Sequence, residues 1–359
     1  MAEVRSQLLG RAVAAFVAAP SVVAGVRPLG DGNINDTFLV VCSPGPSLVL
    51  QRINPSVFPD PIVVAANTAV VSRHLSRIDA ESASRGYRFP QAVATRDGLD
   101  WFEDSDGSIW RCQTYLDQTV SLERASSPEQ AYQAGRLLGF FHEGLSGLDQ
   151  RLLGRPLPGF HDLNRYRHAY REAVPGHCQN AVPDLGYCMS AAEKRLEDAT
   201  LEELAENQGA RARVIHGDPK CENFLFDADA KRAVSLIDLD TTVPGLTAVD
   251  IGDCLRSFCN PCGERGVGDV AFDLGSCRNL VAGYKTACAM TAAERRLIYH
   301  GLRLLTFELG LRFLTDYLEG NRYFKVADEQ ENLRRACIQF RLLESIEGLR
   351  PDIELIAGG

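Results

Sequence analysis

Eight residues in the middle of the chain, His216-Gly217-Asp218-Pro219-Lys220-Cys221-Glu222-Asn223, form a polar loop set between apolar anchors. Val214-Ile215 lead into it and Phe224-Leu225-Phe226 lead out, so the chain leaves a core, turns and re-enters the core. Asp238 follows fifteen residues beyond Asn223, within Leu236-Ile237-Asp238-Leu239-Asp240. In an extended segment Asp238 and Asp240 stand two residues apart and face the same side. The hydrophobic pair before them marks acids emerging from a core edge. A fold that accepts this pattern presents an Asp and an Asn from one loop and carboxylates from a strand end.

That combination carries a specific chemistry. The kinase catalytic loop has the form H-x-D-x-x-x-x-N. Its Asp accepts the proton of the acceptor hydroxyl, and the Asn five residues on holds Mg²⁺. Kinases place a further metal-binding Asp at a strand end at about this distance. On this reading Asp218 is the base, Asn223 and Asp238 hold Mg²⁺, and Asp240 is a helper at the metal. ATP is the phosphoryl donor.

The rest of the chain is compatible with that chemistry. A length of 359 residues with 45% apolar content is enough for about two packed domains. The net charge is −9 and no run of Lys or Arg forms a basic patch, which excludes a nucleic-acid binder as the expectation. An acidic chain still binds ATP where Mg²⁺ and local cations neutralise the phosphates. Eleven cysteines, an odd number, read as reduced thiols of a cytoplasmic protein. Cys254, Cys259 and Cys262 have C-x4-C-x2-C spacing, with Cys277 a possible fourth ligand, but nothing else in the chain suggests redox chemistry. The stretch from Ala12 to Val26 resembles a signal peptide in composition. Glu3, Arg5 and Pro20 argue instead for an amphipathic helix followed by a strand. No window reaches the ~18 continuous apolar residues of a membrane span, so no membrane partner is expected.

The pattern of elements changes along the chain. Val22 to Leu29, Thr37 to Cys42 and the run from Leu48 read as strands, broken by Gly30-Asp31-Gly32 and Pro44-Gly45-Pro46. Pro61 to Ile78 reads as a helix. Strand signals return at Leu99 to Phe102 and Ile109 to Tyr115. Beyond them Ser127, Pro128 and Gln130 form a helix start, with Ala131, Ala134, Leu138 and Phe141 on one face. Thr291 and Glu294 form a second capping box, opening a long apolar helix that stops at Gly320. Glu331 to Ile346 is a last amphipathic helix. The expected fold is α+β and protein-kinase-like, with two lobes: a small β-rich N-lobe over residues 1–116 that binds nucleotide, and a large, mainly helical C-lobe over 117–359 that holds the catalytic and acceptor sites.

H-G-D-x-x-x-x-N followed by I-D-x-D resembles the signature of the aminoglycoside phosphotransferase and choline kinase superfamily. Gly217, where protein kinases carry Arg, and I-D-x-D, where they carry D-F-G, both favour small-molecule acceptors. Further stretches resemble the N-acetylhexosamine 1-kinases: Gly30-Asp31-Gly32-Asn33-Ile34-Asn35, Leu50-Gln51-Arg52-Ile53-Asn54, Val57-Phe58-Pro59-Asp60, Asp250-Ile251-Gly252-Asp253, and Arg312 to Gly320. The resemblance runs over most of the chain. It implies transfer from ATP to the anomeric hydroxyl of a hexose such as N-acetylglucosamine or N-acetylgalactosamine, with Arg312 and Tyr323 holding the sugar. The same chemistry on choline or an aminoglycoside is the alternative, and a nucleotide-binding pseudokinase a more distant one. Arg312 has a structural reading too, an i,i+4 ion pair with Asp316.

Two departures bear on these roles. The third strand offers Gln51 or Arg52 where protein kinases carry a Lys for the phosphates. Asn33 stands where the resemblance implies a His against the sugar, so the preferred hexosamine differs if that contact sets it. Gly30 and Gly32 would let a loop approach the phosphates closely. Tyr115 and Leu116 would meet the adenine.

Overall fold

The computed structural model describes residues 2–18, 20–30, 34–78, 84–174, 183–266 and 268–359. They form two compact units. The first comprises Met1–Thr119, Gly144–Pro158 and Ile237–Pro244; the second comprises Val120–Glu143, Gly159–Leu236 and Gly245–Gly359.

The first unit is an antiparallel sheet with two helices. Helix α1 (Ala2–Phe16) precedes strands β1 (Val22–Pro28), β2 (Asp36–Ser43) and β3 (Leu48–Arg52). Helix α2 (Pro61–Ser76) follows, then β4 (Ala92–Val93), β5 (Phe102–Glu103) and β6 (Ile109–Thr114). The sheet order is β1-β2-β3-β6-β4, with β5 also paired to β6. Strand periodicity sorts its side chains by face. Leu48, Leu50, Val40, Trp110 and Cys112 join Ala12, Val13 and Phe16 of α1 in one core cluster. Each large apolar side chain buried there contributes roughly 1.5–3 kcal/mol. The opposite face carries Gln51, whose register partner is Arg111. Helix α2 starts where Asp60 accepts a hydrogen bond from the amide of Val63 and Pro61 fills the first turn. The strand expected at Leu99 to Phe102 is shorter than its composition suggests. The Thr95 amide bonds to the Leu99 carbonyl at 2.7 Å, closing a turn that leaves only Phe102–Glu103 to pair.

The second unit is mainly helical. Strand β7 (Thr119–Ser121) leads to α3 (Pro128–Gly144), α4 (Leu163–Ala173), α5 (Pro183–Glu193) and α6 (Leu201–Gln208). Strands β8 (Arg213–Ile215), β9 (Phe224–Asp227) and β10 (Ala233–Leu236) surround the polar loop. Helices α7 (Thr247–Phe258), α8 (Leu274–Ala287), α9 (Ala292–Leu318), α10 (Glu331–Gly348) and α11 (Arg350–Gly358) complete it. At the start of α3 the amide of Gln130 bonds to Ser127, but the Gln130 side chain accepts from Ser126 rather than closing a box on Ser127. The Thr291–Glu294 box on α9 closes in both directions. Helix α9 ends beside Gly320, whose φ of +84° suits glycine.

Helix α9 packs against α7 and α10. Its approach to α7 is set by two glycines. A Cβ on Gly301 would lie 2.1 Å from the Ala248 carbonyl, and one on Gly252 would lie 2.5 Å from the Gly301 carbonyl carbon. Only bare backbones fit at that crossing. Beside that crossing, Asp250 of α7 meets the loop amides directly, and Glu308 of α9 meets the loop through His161. Cys254, Cys259 and Cys277 are buried free thiols of α7, its C-terminal end and α8. Among the described residues no group of three His, Cys, Asp or Glu side chains is arranged to hold a metal ion. No described helix is long and apolar enough to cross a membrane.

Candidate active site

The polar loop is braced from below by α7. Asp250 is fully buried and accepts the amides of His216 at 2.6 Å and Gly217 at 2.8 Å. His142 of α3 donates to the same carboxylate at 2.8 Å, and its other ring nitrogen meets the Tyr284 hydroxyl at 2.7 Å. Burial raises the Asp250 pKa, but the hydrogen bond and charge of His142, with the loop amide, outweigh it and hold the carboxyl below its ordinary range. A carboxylate with three donors is satisfied without water. Cys221 is pinned by its amide to the Ser257 hydroxyl at 2.8 Å.

This frame presents Asp218 half-buried at the loop's outer edge. Lys220 Nζ lies 3.2 Å from its Oδ2. Asn223 Nδ2 donates to the Asp218 carbonyl at 2.7 Å and to Oδ2 at 3.3 Å. These bonds fix the amide so that Oδ1 is the end turned away from Asp218. The described residues thus join Asp218 and Asn223 in one hydrogen-bonded pair.

The acceptor candidates lie on and just beyond α9. The Arg312 guanidinium sits 5.2–5.8 Å from the ring centres of Phe160, Tyr166, Tyr323 and Phe324, within the range of cation–π attraction. It pairs with Glu308 at 3.8 Å. Burial lowers the Arg312 pKa, but Tyr166, Glu308, Tyr323 and Asp218 together carry it above its ordinary value, so the base and this cation feel one another. Burial pushes the Tyr166 hydroxyl up to about 12. The i,i+4 partner that the sequence offers, Asp316, is used otherwise. Its carboxylate accepts the amides of Arg322, Tyr323 and Phe324 at 2.7–2.9 Å and so holds the loop that carries two of the rings. Tyr323 is 48% exposed, which leaves a ring face open to a ligand.

Helix α7 adds an unmet carboxylate. Asp253 Oδ1 accepts from Arg256 at 2.7 Å, whereas its buried Oδ2 has no hydrogen-bond partner. Burial raises its pKa, and the nearby Asp218 charge adds to the rise against the lowering by Arg256.

In the first unit, Asp238 is exposed with φ of +66°, in the left-handed region. Asp240 is buried. Its Oδ2 accepts from Asn35 at 2.6 Å, and its Oδ1 pairs with Arg111. Arg111 also reaches Gln51 Oε1 at 2.9 Å and Thr68 Oγ1 at 2.6 Å. Both oxygens of Asp240 are therefore engaged by protein donors that fasten the 237–244 segment to the sheet. Gln51 and Arg52 occupy successive positions and point to opposite faces; Gln51 is on the Arg111 face, and Arg52 pairs with Asp36 at 3.0 Å. Gly30 is exposed with φ of +67°, and Gly32 and Asn33 lie outside the described residues. The amide of Tyr115 donates to the Ser47 carbonyl at 2.8 Å, and the Leu116 carbonyl accepts from Thr119. Arg111, His161 and Glu308 have no signal in sequence spacing, because their partners are far along the chain; Asp250 stands in the Asp250-Ile251-Gly252-Asp253 stretch, but nothing in that stretch shows its grip on the loop amides.

The model of the phosphotransferase enzyme family, APH, matches residues 25–305. The chain belongs to this family. Solved structures share its fold at low identity. A microcompartment-associated aminopropanol kinase is 17% identical with a TM-score of 0.64, covering 98% of both chains. The amicoumacin kinase hAmiN, in complex with AMP-PNP, Ca²⁺ and Ami, is 14% identical with a TM-score of 0.63, covering 95% of both. A choline/ethanolamine kinase family protein from Mesorhizobium loti is 17% identical with a TM-score of 0.57, covering 99% of this chain and 98% of that one. The likeness matches the expected kinase-like α+β fold, with an antiparallel sheet in the N-terminal region and helices in the C-terminal region. The family is the phosphotransferase family; the finer resemblance to N-acetylhexosamine 1-kinases has no counterpart among these matches.

Proposed function

We propose that this phosphotransferase is a small-molecule kinase that moves the γ-phosphoryl of ATP onto the anomeric hydroxyl of an N-acetylhexosamine. The observation that carries the acceptor reading is Arg312, set among four rings on the helix beside Asp218. A guanidinium with open aromatic faces suits a neutral, oxygen-rich ring, to which it donates fixed hydrogen bonds. Tyr323 adds a stacking face and a hydroxyl. The same positive charge repels an ammonium headgroup.

In this reading Asp218 receives the acceptor proton, and Asn223 holds its carbonyl and one carboxylate oxygen still. Lys220 keeps the carboxylate oriented. Asn223 and Asp238 are the proposed Mg²⁺ ligands. An amide oxygen and an exposed carboxylate are the hard oxygen donors that Mg²⁺ takes, and the tethered Nδ2 of Asn223 leaves Oδ1 as its donor end. Bound Mg²⁺ would neutralise charge on the β- and γ-phosphate oxygens. Asp240 assists by anchoring the segment that carries Asp238. The protein's remaining contribution is positioning, which is what phosphoryl transfer asks of an enzyme. Residues 1–116 would serve the nucleotide, with Gly30 and Gly32 near the phosphates, Gln51 rather than Arg52 on the nucleotide side, and Tyr115 and Leu116 at the adenine. Residues 117–359 would serve catalysis and the acceptor, with Asn33 contributed to the sugar from the N-terminal part. A cytoplasmic location fits the free thiols.

An amino-alcohol acceptor is the second reading, favoured by the names of the similar kinases. Coupled ADP release from Mg·ATP across hexoses, N-acetylhexosamines, choline, ethanolamine and aminoglycosides separates the two. Turnover with N-acetylhexosamines is expected. Turnover confined to the amines overturns the sugar reading.

A further inference from the structure

His161 belongs to none of the sequence motifs, yet it touches the polar loop. It follows Phe160 ahead of α4 and has φ of +61°, a conformation that costs a non-glycine residue roughly 1 kcal/mol or more. Its Nδ1 faces the two carboxylate oxygens of Glu308 at 3.1 and 3.3 Å, and its Nε2 faces the carbonyl oxygen of Gly217 at 2.7 Å. All three are acceptors. A neutral imidazole has one N–H, so either tautomer would set a lone pair against an oxygen; only the imidazolium donates at both ends.

The Gly217 carbonyl shares its peptide plane with the amide of Asp218. The preceding amides, of His216 and Gly217, are taken by Asp250. The backbone entering Asp218 is thus gripped at its N–H groups from α7 and at its carbonyl from His161. Glu308 also pairs with Arg312 at 3.8 Å, one turn along the same helix.

We propose that His161 is a positioning residue of the phosphoryl-transfer site, an imidazolium clamp that ties the acceptor helix, through Glu308, to the peptide joining Gly217 to Asp218. This rests on Asp218 being the base. The charged groups that act on the ring are Glu308 on α9 and Asp253 on α7; Arg312, on the same helix as Glu308, pairs with that carboxylate and faces the ring of the neutral Tyr166 on α4. Burial lowers the affinity of the ring for its proton, but Glu308, the Gly217 carbonyl and Asp253 outweigh burial and push the pKa up to about 9. The clamp is therefore complete at neutral pH and is lost as pH rises through that value.

The test uses the full chain with Mg·ATP and N-acetylglucosamine, reading kcat and each KM against pH, for wild type, H161A, H161Q and D218N. H161A should lose kcat by about tenfold or more, since small misplacements of a catalytic group cost up to about a hundredfold, with the KM for ATP little changed. The Gln amide reaches the Gly217 carbonyl without a titrating ring. H161Q should therefore recover most of the loss and lack the alkaline fall that wild type shows near pH 9. Full kcat in H161A, or equal losses in both variants with the wild-type alkaline limb retained, overturns the clamp. Turnover surviving in D218N sinks the base assignment instead. If N-acetylglucosamine is not turned over, NMR titration of the histidine rings, with His161 assigned by its absence in H161Q, decides on its own. A ring pKa above about 8 supports the clamp, and one at or below the ordinary value of about 6.5 overturns it.

Discussion

Arg111 and Asp240 are 3% and 6% exposed at the side chain, and breaking their pair should unfold the first unit more readily. Replacing Arg111 by Met keeps the aliphatic length and removes the charge. It leaves the Asp240 carboxylate buried with Asn35 as its other donor, and takes the donor from Gln51 and Thr68. Removing one partner of a buried ion pair costs about 3–5 kcal/mol. Asp240→Asn should cost a similar amount, and the double variant should fall short of the sum by about 2 kcal/mol or more, the size of coupling between contacting residues. The assay has a convenient reporter. The chain has two tryptophans, Trp101 and Trp110, and both lie in the first unit. Trp110 is buried, with its Nε1 donating to Asp104 at 2.8 Å. Urea unfolding followed by tryptophan emission therefore reads that unit. With a slope of about 2 kcal/mol/M, the single variants should move the midpoint down by about 1.5–2.5 M. A shift under about 0.5 M, with additive effects in the double variant, would refute the claim that this pair anchors the 237–244 segment.

Three further outcomes test individual roles. Asp218→Asn should lower kcat by about two to four orders of magnitude with ATP affinity little changed; near-normal turnover removes it as the base. Asp238→Ala should abolish Mg²⁺-dependent nucleotide binding in calorimetry, and an unchanged Mg·ATP affinity contradicts the ligand assignment. Arg312→Ala should raise the KM for the sugar far more than the KM for ATP, because it removes binding to one substrate only; equal changes in both point to a structural role within its ring cluster.

Elements with local signatures were legible before any coordinates. The Thr291–Glu294 box and the glycine after α9 each act within a few residues, and each has its expected effect. The polar loop was legible because its spacing is itself local. Helices α4 to α8 were not marked by the apolar periodicity followed along the chain. α4, for instance, is largely polar and buries only Leu163, Arg167 and Tyr170. The strand near Leu99 is shorter than its β-rich composition implies, because composition does not reveal a turn closed by Thr95. The supports of the site were illegible for a different reason. Asp250 grips amides 33 and 34 residues away, His161 reaches Glu308 across 147 residues, and Arg111 reaches Asp240 across 129. A single sequence shows no pairing at such separations, and charge at these positions reads equally well as a solvated surface. The Arg312–Asp316 spacing was read as an ion pair because i,i+4 charges attract on an isolated helix. The backbone amides of residues 322–324 compete for Asp316, and they hold it.

The most direct measurement is phosphorus NMR of the product formed from Mg·ATP and N-acetylglucosamine. A new phosphate resonance coupled to the anomeric proton is expected, lost on mild acid treatment, as a sugar 1-phosphate is. A 6-phosphate, or phosphorylation of choline or an aminoglycoside with no hexose product, would contradict it.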